Sequence, residues 1–219
     1  MPRWDNGWGV QMQHEYQALA HAQGHLLHLE GVYTWRRWIR VTYKIPWVLT
    51  GQSLVDKTLP TESGLGTPIV ALPLKKYFNK DGRSGAWSLT PHLFLPLSQT
   101  ELGREDEHGG LSFGFAQETY RTTLDLAGAV HFQRAGFRPE WHLHGAVGGK
   151  FYGWDSAGNF KLKFDLRYTG NGDHAVRIAP VVYWRLSDRW HAQIGWKHSL
   201  LAQGFDDGDW VRTGIGMVF

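Results

Sequence analysis

The sequence contains no cysteine. That absence excludes a disulfide framework, a thiolate metal site and cysteine catalysis together. Methionine is also scarce, with 3 in 219 residues. No apolar run reaches the roughly 18 residues that a transmembrane helix requires. Met1 is followed by PRWDNGWG, which lacks the apolar core of a signal peptide; the expectation is a mature chain after export. A marked excess of charge of one sign is absent. Lys and Arg number 23 against 20 Asp and Glu, a net charge of +3. So small an excess does not point to nucleic acid, which calls for a concentrated basic patch. Helical periodicity is missing too, since no stretch repeats apolar residues at three- and four-residue spacing.

What the chain has in excess is aromatic. It carries 12 Trp, 8 Tyr and 11 Phe, with 27 Gly. Yet its mean hydropathy is -0.37, the value of a water-soluble protein. Period-two alternation explains both. In 159–168, Phe160, Leu162, Phe164, Leu166 and Tyr168 share one face, and Lys161, Lys163, Asp165 and Arg167 share the other. In 38–48, Ile39, Val41, Tyr43, Ile45 and Trp47 alternate with Arg40, Thr42 and Lys44. In 209–219, Val211, Thr213, Ile215, Met217 and Phe219 oppose Arg212, Gly214, Gly216 and Val218.

The same pattern predicts twelve strands: 8–18, 26–35, 38–48, 65–78, 86–97, 110–119, 123–132, 140–152, 159–168, 175–186, 190–200 and 209–219. Each is about ten residues, the length that crosses a bilayer when tilted. Tight turns at Arg36-Arg37, 79–85, 120–122, 154–158 and 187–189 alternate with loops at 19–25, 49–64, 98–109, 133–139, 169–174 and 201–208. An even strand count with turns at one end and loops at the other is the pattern of an outer-membrane barrel. The fold class is therefore all-β, a transmembrane antiparallel β-barrel. It is one domain over 1–219, with 1–7 as an N-terminal extension.

Alternation alone does not say which face meets water. Two features place lipid outside. Trp8, Trp35, Trp47, Trp87, Trp141, Tyr168, Trp184, Trp190 and Phe219 fall near predicted strand ends, where interfacial girdles form. Twelve strands also enclose a lumen wide enough for the long charged face. A soluble sandwich or calycin-like barrel is the competing fold. The exceptions on the lipid face are Lys76 and the pair His198 and Asp209, all near strand ends, and His14, mid-strand and without an evident role.

The candidate functional residues line the lumen. The bases are Arg40, Lys44, Lys75, Lys161, Lys163, Arg167, Arg177, Arg185, Lys197 and Arg212, and the acids Glu15, Glu30, Glu118, Asp125 and Asp165. Strands 110–119, 123–132 and 140–152 turn small residues inward: Gly114, Ala116, Ala127, Ala129, Ala146 and Gly148. A long cationic wall would then face a thin one and favour anions. In the alternative the charges pair across strands and fill the barrel. His92, His131, His142 and His144 also point inward and are the metal candidates, with no carboxylate fixed beside them by spacing. The pattern itself assigns no metal and no cofactor. His21, His25 and His28 cluster in and beside the first loop. Glu101, Glu105, Asp106 and Glu107, and Asp206, Asp207 and Asp209, form acidic loop clusters suited to bridging cations to lipopolysaccharide phosphates.

An enzyme of the outer-membrane phospholipase type places His-x-Ser on the lipid face. No such pair occurs; His198 and Ser199 are adjacent and point to opposite faces. Ser88 and His92 share a face, but it is the lumen face.

Several strings resemble one bacterial outer-membrane family, named for the meta-pathway of phenol degradation. They are SGLGTPIVALPLKKYF (63–78), DGRSGAWSLTPHLFLPLS (81–98), YWRLSDRWHAQIGWKHS (183–199) and the terminal GIGMVF. The likeness extends over about 26–219. Thr67 replaces the usual Asp, and the strand end at 95–98 lacks the usual glycine. The resemblance implies an outer-membrane transporter of small, hydrophobic or aromatic compounds, with no catalytic residues to carry over. A C-terminal Phe219 on an alternating strand is also similar to the signal read by the barrel assembly machinery.

The expected function is passive passage of small solutes, biased toward anions or small carboxylated aromatic compounds, across a Gram-negative outer membrane. The expected partners are membrane lipid, lipopolysaccharide and the solute. A lipid-modifying enzyme and a plugged structural or adhesion barrel are the alternatives.

Overall fold

The structure is a computed structural model and describes residues 6–35, 38–55, 61–100, 107–133, 139–153 and 156–219. The strands are β1 (Asn6–Leu19), β2 (Ala22–Trp35), β3 (Ile39–Ser53), β4 (Glu62–Leu65), β5 (Ile69–Ala71), β6 (Leu74–Lys80) and β7 (Arg83–Phe94) in the first half. The second half has β8 (Glu107–Glu118), β9 (Thr122–Gln133), β10 (Pro139–Gly153), β11 (Ser156–Thr169), β12 (His174–Arg185), β13 (Trp190–Gln203) and β14 (Gly208–Val218). Sequential neighbours pair antiparallel, and β1 pairs with both β2 and β14, so the sheet closes. The result is a closed barrel of twelve staves.

The predicted strand at 65–78 is the one that departs. β4, β5 and β6 are three pieces of a single stave, with β5 and β6 paired to both β3 and β7. Pro68 and Pro73 fall in the gaps, because proline has no N–H to give the ladder. The remaining groups still bridge: Gly66 donates to the Pro46 carbonyl, Leu72 to that of Pro91, and Arg40 to that of Pro73.

Strand ends run further than expected. β1 begins at Asn6, so the predicted extension over 1–7 loses two residues to the sheet. The predicted loop at 49–64 shrinks, because β3 continues to Ser53 and Gly51 pairs with Glu62. The loop at 201–208 narrows to 204–207. The turn at 79–85 narrows to Asp81-Gly82, with φ of 52 and 71. Two successive positive φ values define the hairpin turn that an Asp-Gly pair favours. The Arg36-Arg37 turn, Trp154, and Glu101, Glu105 and Asp106 lie outside the described residues, as does the Glu107 side chain.

Burial is inverted relative to a water-soluble protein. Gln13, Glu15, His28, Arg40, Glu140, His142 and Arg177 are buried. Met12, Leu126, Leu143, Val147, Phe164, Leu166 and Ile215 are exposed. Glu15 is 3% accessible and Leu143 55%. A sheet with this distribution is stable only where its outer face meets hydrocarbon. The lumen is therefore the polar side.

The outer face carries aromatic pairs. Trp8 packs on Tyr33 at 4.5 Å and Trp87 on Phe115 at 4.5 Å, and Trp141 lies cross-strand from Tyr168. Gly31 is overlaid by the Tyr43 ring, which a Cβ would meet at 2.2 Å. Such rings shield glycine backbone on barrel faces. His14 also finds its role here. Its Nε2 lies 3.0 Å from His25 Nδ1, the two rings stack, and His25 leans on Tyr16. One imidazole satisfies the other, which lowers the cost of a polar group facing lipid. His198 and Asp209 hydrogen-bond each other at 2.9 Å, and Trp196 Nε1 donates to Asp209.

Among the described residues, one apolar cluster lies inside. Leu19, Leu26, Val48 and Trp210 pack together on the lumen face, at the end where β1 turns into β2.

Leu126→Arg, mid-strand on the outer face, should destabilise the barrel by about 2–4 kcal/mol. Phe132→Arg, at the end of the same strand, should cost about 0–1 kcal/mol. Urea unfolding in lipid vesicles measures both, and equal costs would contradict the assignment of hydrocarbon to this face.

Candidate functional site

The lumen is built by parity. Each stave sends alternate side chains inward, and closure sets which inward residues become neighbours. Register alone puts Glu15, Glu30, Arg40, Lys44, Lys161, Lys163, Asp165, Arg167, Arg177, Lys197 and Arg212 on the side of the sheet opposite the exposed apolar face, and Arg185 at a strand end. The Arg185 side chain is 62% accessible and is hydrogen-bonded to Asp188 in the following turn.

Of the two arrangements open from sequence, cross-strand pairing accounts for most of the acids. Most acids sit against bases. Arg212 lies directly cross-strand from Glu15 and donates to it from Nε at 2.6 Å. His28 Nε2 is 3.7 Å from the same carboxylate. Gln13 donates to Glu30 at 2.7 Å, and Lys44 lies cross-strand from Glu30. Arg167 Nη1 is 3.6 Å from Glu140 and its Nε is 3.7 Å from Asp165; Arg177 Nη1 is 4.0 Å from Asp165.

The thin wall has a cause as well. Lys161 on β11 reaches Asp125 on β9, crossing the whole of β10. It passes over Gly148, where a Cβ would stand 3.0 Å from Lys161 Cγ and 2.9 Å from Thr123 Oγ1. Lys150 likewise leaves β10 for Glu118 on β8, at 3.1 Å. Gly148 thus makes room for Lys161 from the next stave, so the space beside the cationic wall is partly filled.

Among the described residues, four inward cations have no carboxylate within hydrogen-bonding reach. Arg40 Nη2 donates to the Tyr77 hydroxyl at 2.9 Å. Lys163 Nζ donates to the Tyr183 hydroxyl at 2.9 Å. Lys197 Nζ sits 3.9 Å over the Trp210 ring, a cation–π contact. Lys75 lies inward, cross-strand from Ser88, with no carboxylate bound to it among the described residues. Arg177 also covers Trp210, at 4.9 Å, and donates to the Asp206 carbonyl.

The four predicted histidines do assemble. His92 meets His131 at 4.7 Å, His131 stacks on His142 at 4.0 Å, and His142 meets His144 at 5.7 Å. They form one imidazole row from β7 through β9 to β10. Gly110 makes room for its first member, since a Cβ there would be 2.6 Å from His92 Nε2. Carboxylates flank the row, where spacing alone placed none. Glu140 is hydrogen-bonded to His142 Nε2, and Asp165 Oδ1 is 3.1 Å from His144 Nδ1.

The predicted cluster of His21, His25 and His28 is dispersed. His21 faces Asp206 at 3.6 Å in the mouth, His25 pairs with His14 on the lipid face, and His28 is buried in the lumen beside Glu15. Ser199 points inward, opposite to His198, and donates to the Asp206 carbonyl. Glu140, Lys150, Tyr77 and Tyr183 are lumen residues that the sequence reading did not single out. Parity was the available signal, since Glu140 and Lys150 share the even face of β10 with His142 and His144.

Residues 20–205 match the model of a family described as "Putative MetA-pathway of phenol degradation". No curated protein matches the sequence. Among solved structures, the chain is similar to an outer membrane channel from Pseudomonas putida F1, with 12% identity and a TM-score of 0.70 over 100% of this chain and 97% of that one. It is similar to the KdgM porin, at 11% identity and TM-score 0.63 over 96% and 99%. The NanC porin follows at 10% identity and TM-score 0.58 over 96% and 98%. At these identities the likeness is one of fold.

Arg212→Met would leave the Glu15 carboxylate buried without its cation, an expected loss of about 3–5 kcal/mol. Glu15→Gln combined with Arg212→Met should recover most of it. Denaturant unfolding of the two variants tests this; equal losses would mean that the ion pair does not set the cost.

Proposed function

The chain belongs to this phenol meta-pathway family, and we propose that its barrel is a passive channel for small solutes in a Gram-negative outer membrane, biased toward anions. The observation that carries the bias is the set Arg40, Lys75, Lys163 and Lys197. The contacts these inward cations make are with hydroxyls or a ring rather than with carboxylates at hydrogen-bond distance, whereas the inward acids are largely engaged by bases. Charge neutralised within the wall contributes little field to the lumen; charge held by a hydroxyl or a ring is not cancelled by a counter-charge. The tyrosines and Trp210 beside these cations suit a carboxylated aromatic solute, whose carboxylate and ring would each find a partner. The likeness to an outer membrane channel and to two porins supports the channel part of this reading.

A plugged barrel is the second reading. The internal cluster of Leu19, Leu26, Val48 and Trp210 supports it, because it occupies lumen space at one end.

Reversal potentials across planar bilayers in a salt gradient decide the matter. The expected result is anion preference, reduced several-fold by Lys163→Gln with Lys75→Gln. Cation preference overturns the bias, and absence of conductance overturns the channel in favour of the plug.

Assembly gives a separate test. The Phe219 N–H closes the barrel seam on the Trp8 carbonyl at 2.8 Å, and its side chain is exposed. The ring is therefore available to assembly machinery. Phe219→Ser should lower the amount of folded barrel in cells several-fold while leaving refolding in detergent unchanged. An equal loss in both would assign the ring to stability instead.

A further inference from the structure

The imidazole row ends in a group that goes beyond solute passage. We propose that His142, His144 and Asp165 bind one divalent first-row transition metal ion, of the zinc, copper or nickel class, inside the lumen. One nitrogen from each ring and one Asp165 oxygen lie within 4.8 Å of one another. His142 and His144 are two apart on β10 and share its inner face. Asp165 is directly cross-strand from His144 in a continuous ladder, so all three stand on rigid backbone.

The distances suit a metal. Ligand atoms bound at about 2.0 Å in a tetrahedral site are about 3.3 Å apart. His144 Nδ1 and Asp165 Oδ1 already stand at 3.1 Å. A His142 nitrogen completes the group within 4.8 Å.

Asp165 divides its two oxygens. Oδ2 faces Arg167 and Arg177. Oδ1 is buried, faces His144 and makes no hydrogen bond of good geometry. A buried carboxylate oxygen left in this way is expensive unless something takes it. The arginines hold the carboxylate from behind without using the ligating oxygen.

The surroundings resemble those of built metal sites. Glu140 grips His142 Nε2, as an outer carboxylate fixes the ring and raises the basicity of a ligating histidine. His142 is buried, while the His144 side chain is 44% accessible from the lumen. One side of the site is thus closed by protein and the other open to entry and to a bound water. Two imidazoles and a carboxylate select borderline metals over calcium or magnesium, which demand oxygen ligands.

Binding is measured on the whole chain refolded in detergent, so the result does not depend on conduction. Titration with cobalt chloride should show one Co2+ per barrel, a visible absorption band of a nitrogen-and-oxygen site, and displacement by zinc chloride. His144→Ala and Asp165→Asn should each weaken binding at least tenfold. His144 is partly exposed, so its variant should fold; heat-modifiable gel mobility checks both. His21→Ala, in the mouth, should leave binding unchanged. No Co2+ binding above a buffer blank overturns the proposal. So does binding that survives His144→Ala or vanishes with His21→Ala. If metal binds but the bilayer shows no conductance, the site stands and the channel falls; the converse result separates them the other way.

Discussion

Every backbone N–H and C=O that meets hydrocarbon must find its partner inside the protein, because lipid supplies none. In this chain that requirement is met by one closed sheet, sealed where β1 pairs with β14 over Gly9 to Leu19. Closure fixes more than the backbone. It fixes parity, since a slip by one residue would send a whole face to the wrong solvent. Glu15 would then meet lipid and Met12 the lumen. The two environments therefore hold the register jointly, with ladder hydrogen bonds supplying the energy and side-chain polarity supplying the choice.

Parity is also the reason so much of the fold was legible. Alternation over 159–168 assigned inner and outer faces that the barrel keeps, and the aromatic excess named the solvent on the outer one. What alternation cannot carry is where pairing stops. β3 and β4 continue past the predicted loop start because Gly51 and Glu62 still face each other. The break of one stave at Pro68 and Pro73 was readable in principle, since missing donors interrupt a ladder wherever they fall. The stave survives because neighbours on both sides bond the groups that remain.

Partner choice within the lumen was less legible, and the reason is geometric. A sequence says that Lys161 points inward; it does not say that Asp125 lies two staves away. That pair depends on strand tilt and stagger, which set how far a side chain must lean. The glycines and alanines of the thin wall were seen but their purpose was not. Gly148 is the bed on which Lys161 from the adjacent stave lies. For the same reason His21, His25 and His28, close in sequence, went to a mouth, a lipid face and a lumen. Parity separates His25 from His28, and the β1–β2 turn separates His21 from both.

The same bed bears on what the lumen can do. A charge that crosses a neighbouring stave to reach its counter-charge fills space and cancels field at once. Each such pair narrows the interior and leaves any uncancelled charge to the groups that did not cross. Arg40, Lys75, Lys163 and Lys197 are of that kind, on β3, β6, β11 and β13. The imidazole row belongs to β7, β9 and β10, where small inward neighbours such as Gly110 leave room for rings to lie against one another. The two chemistries meet rather than keep to separate walls: Lys163 shares the inner face of β11 with Asp165, which pairs with His144 on β10.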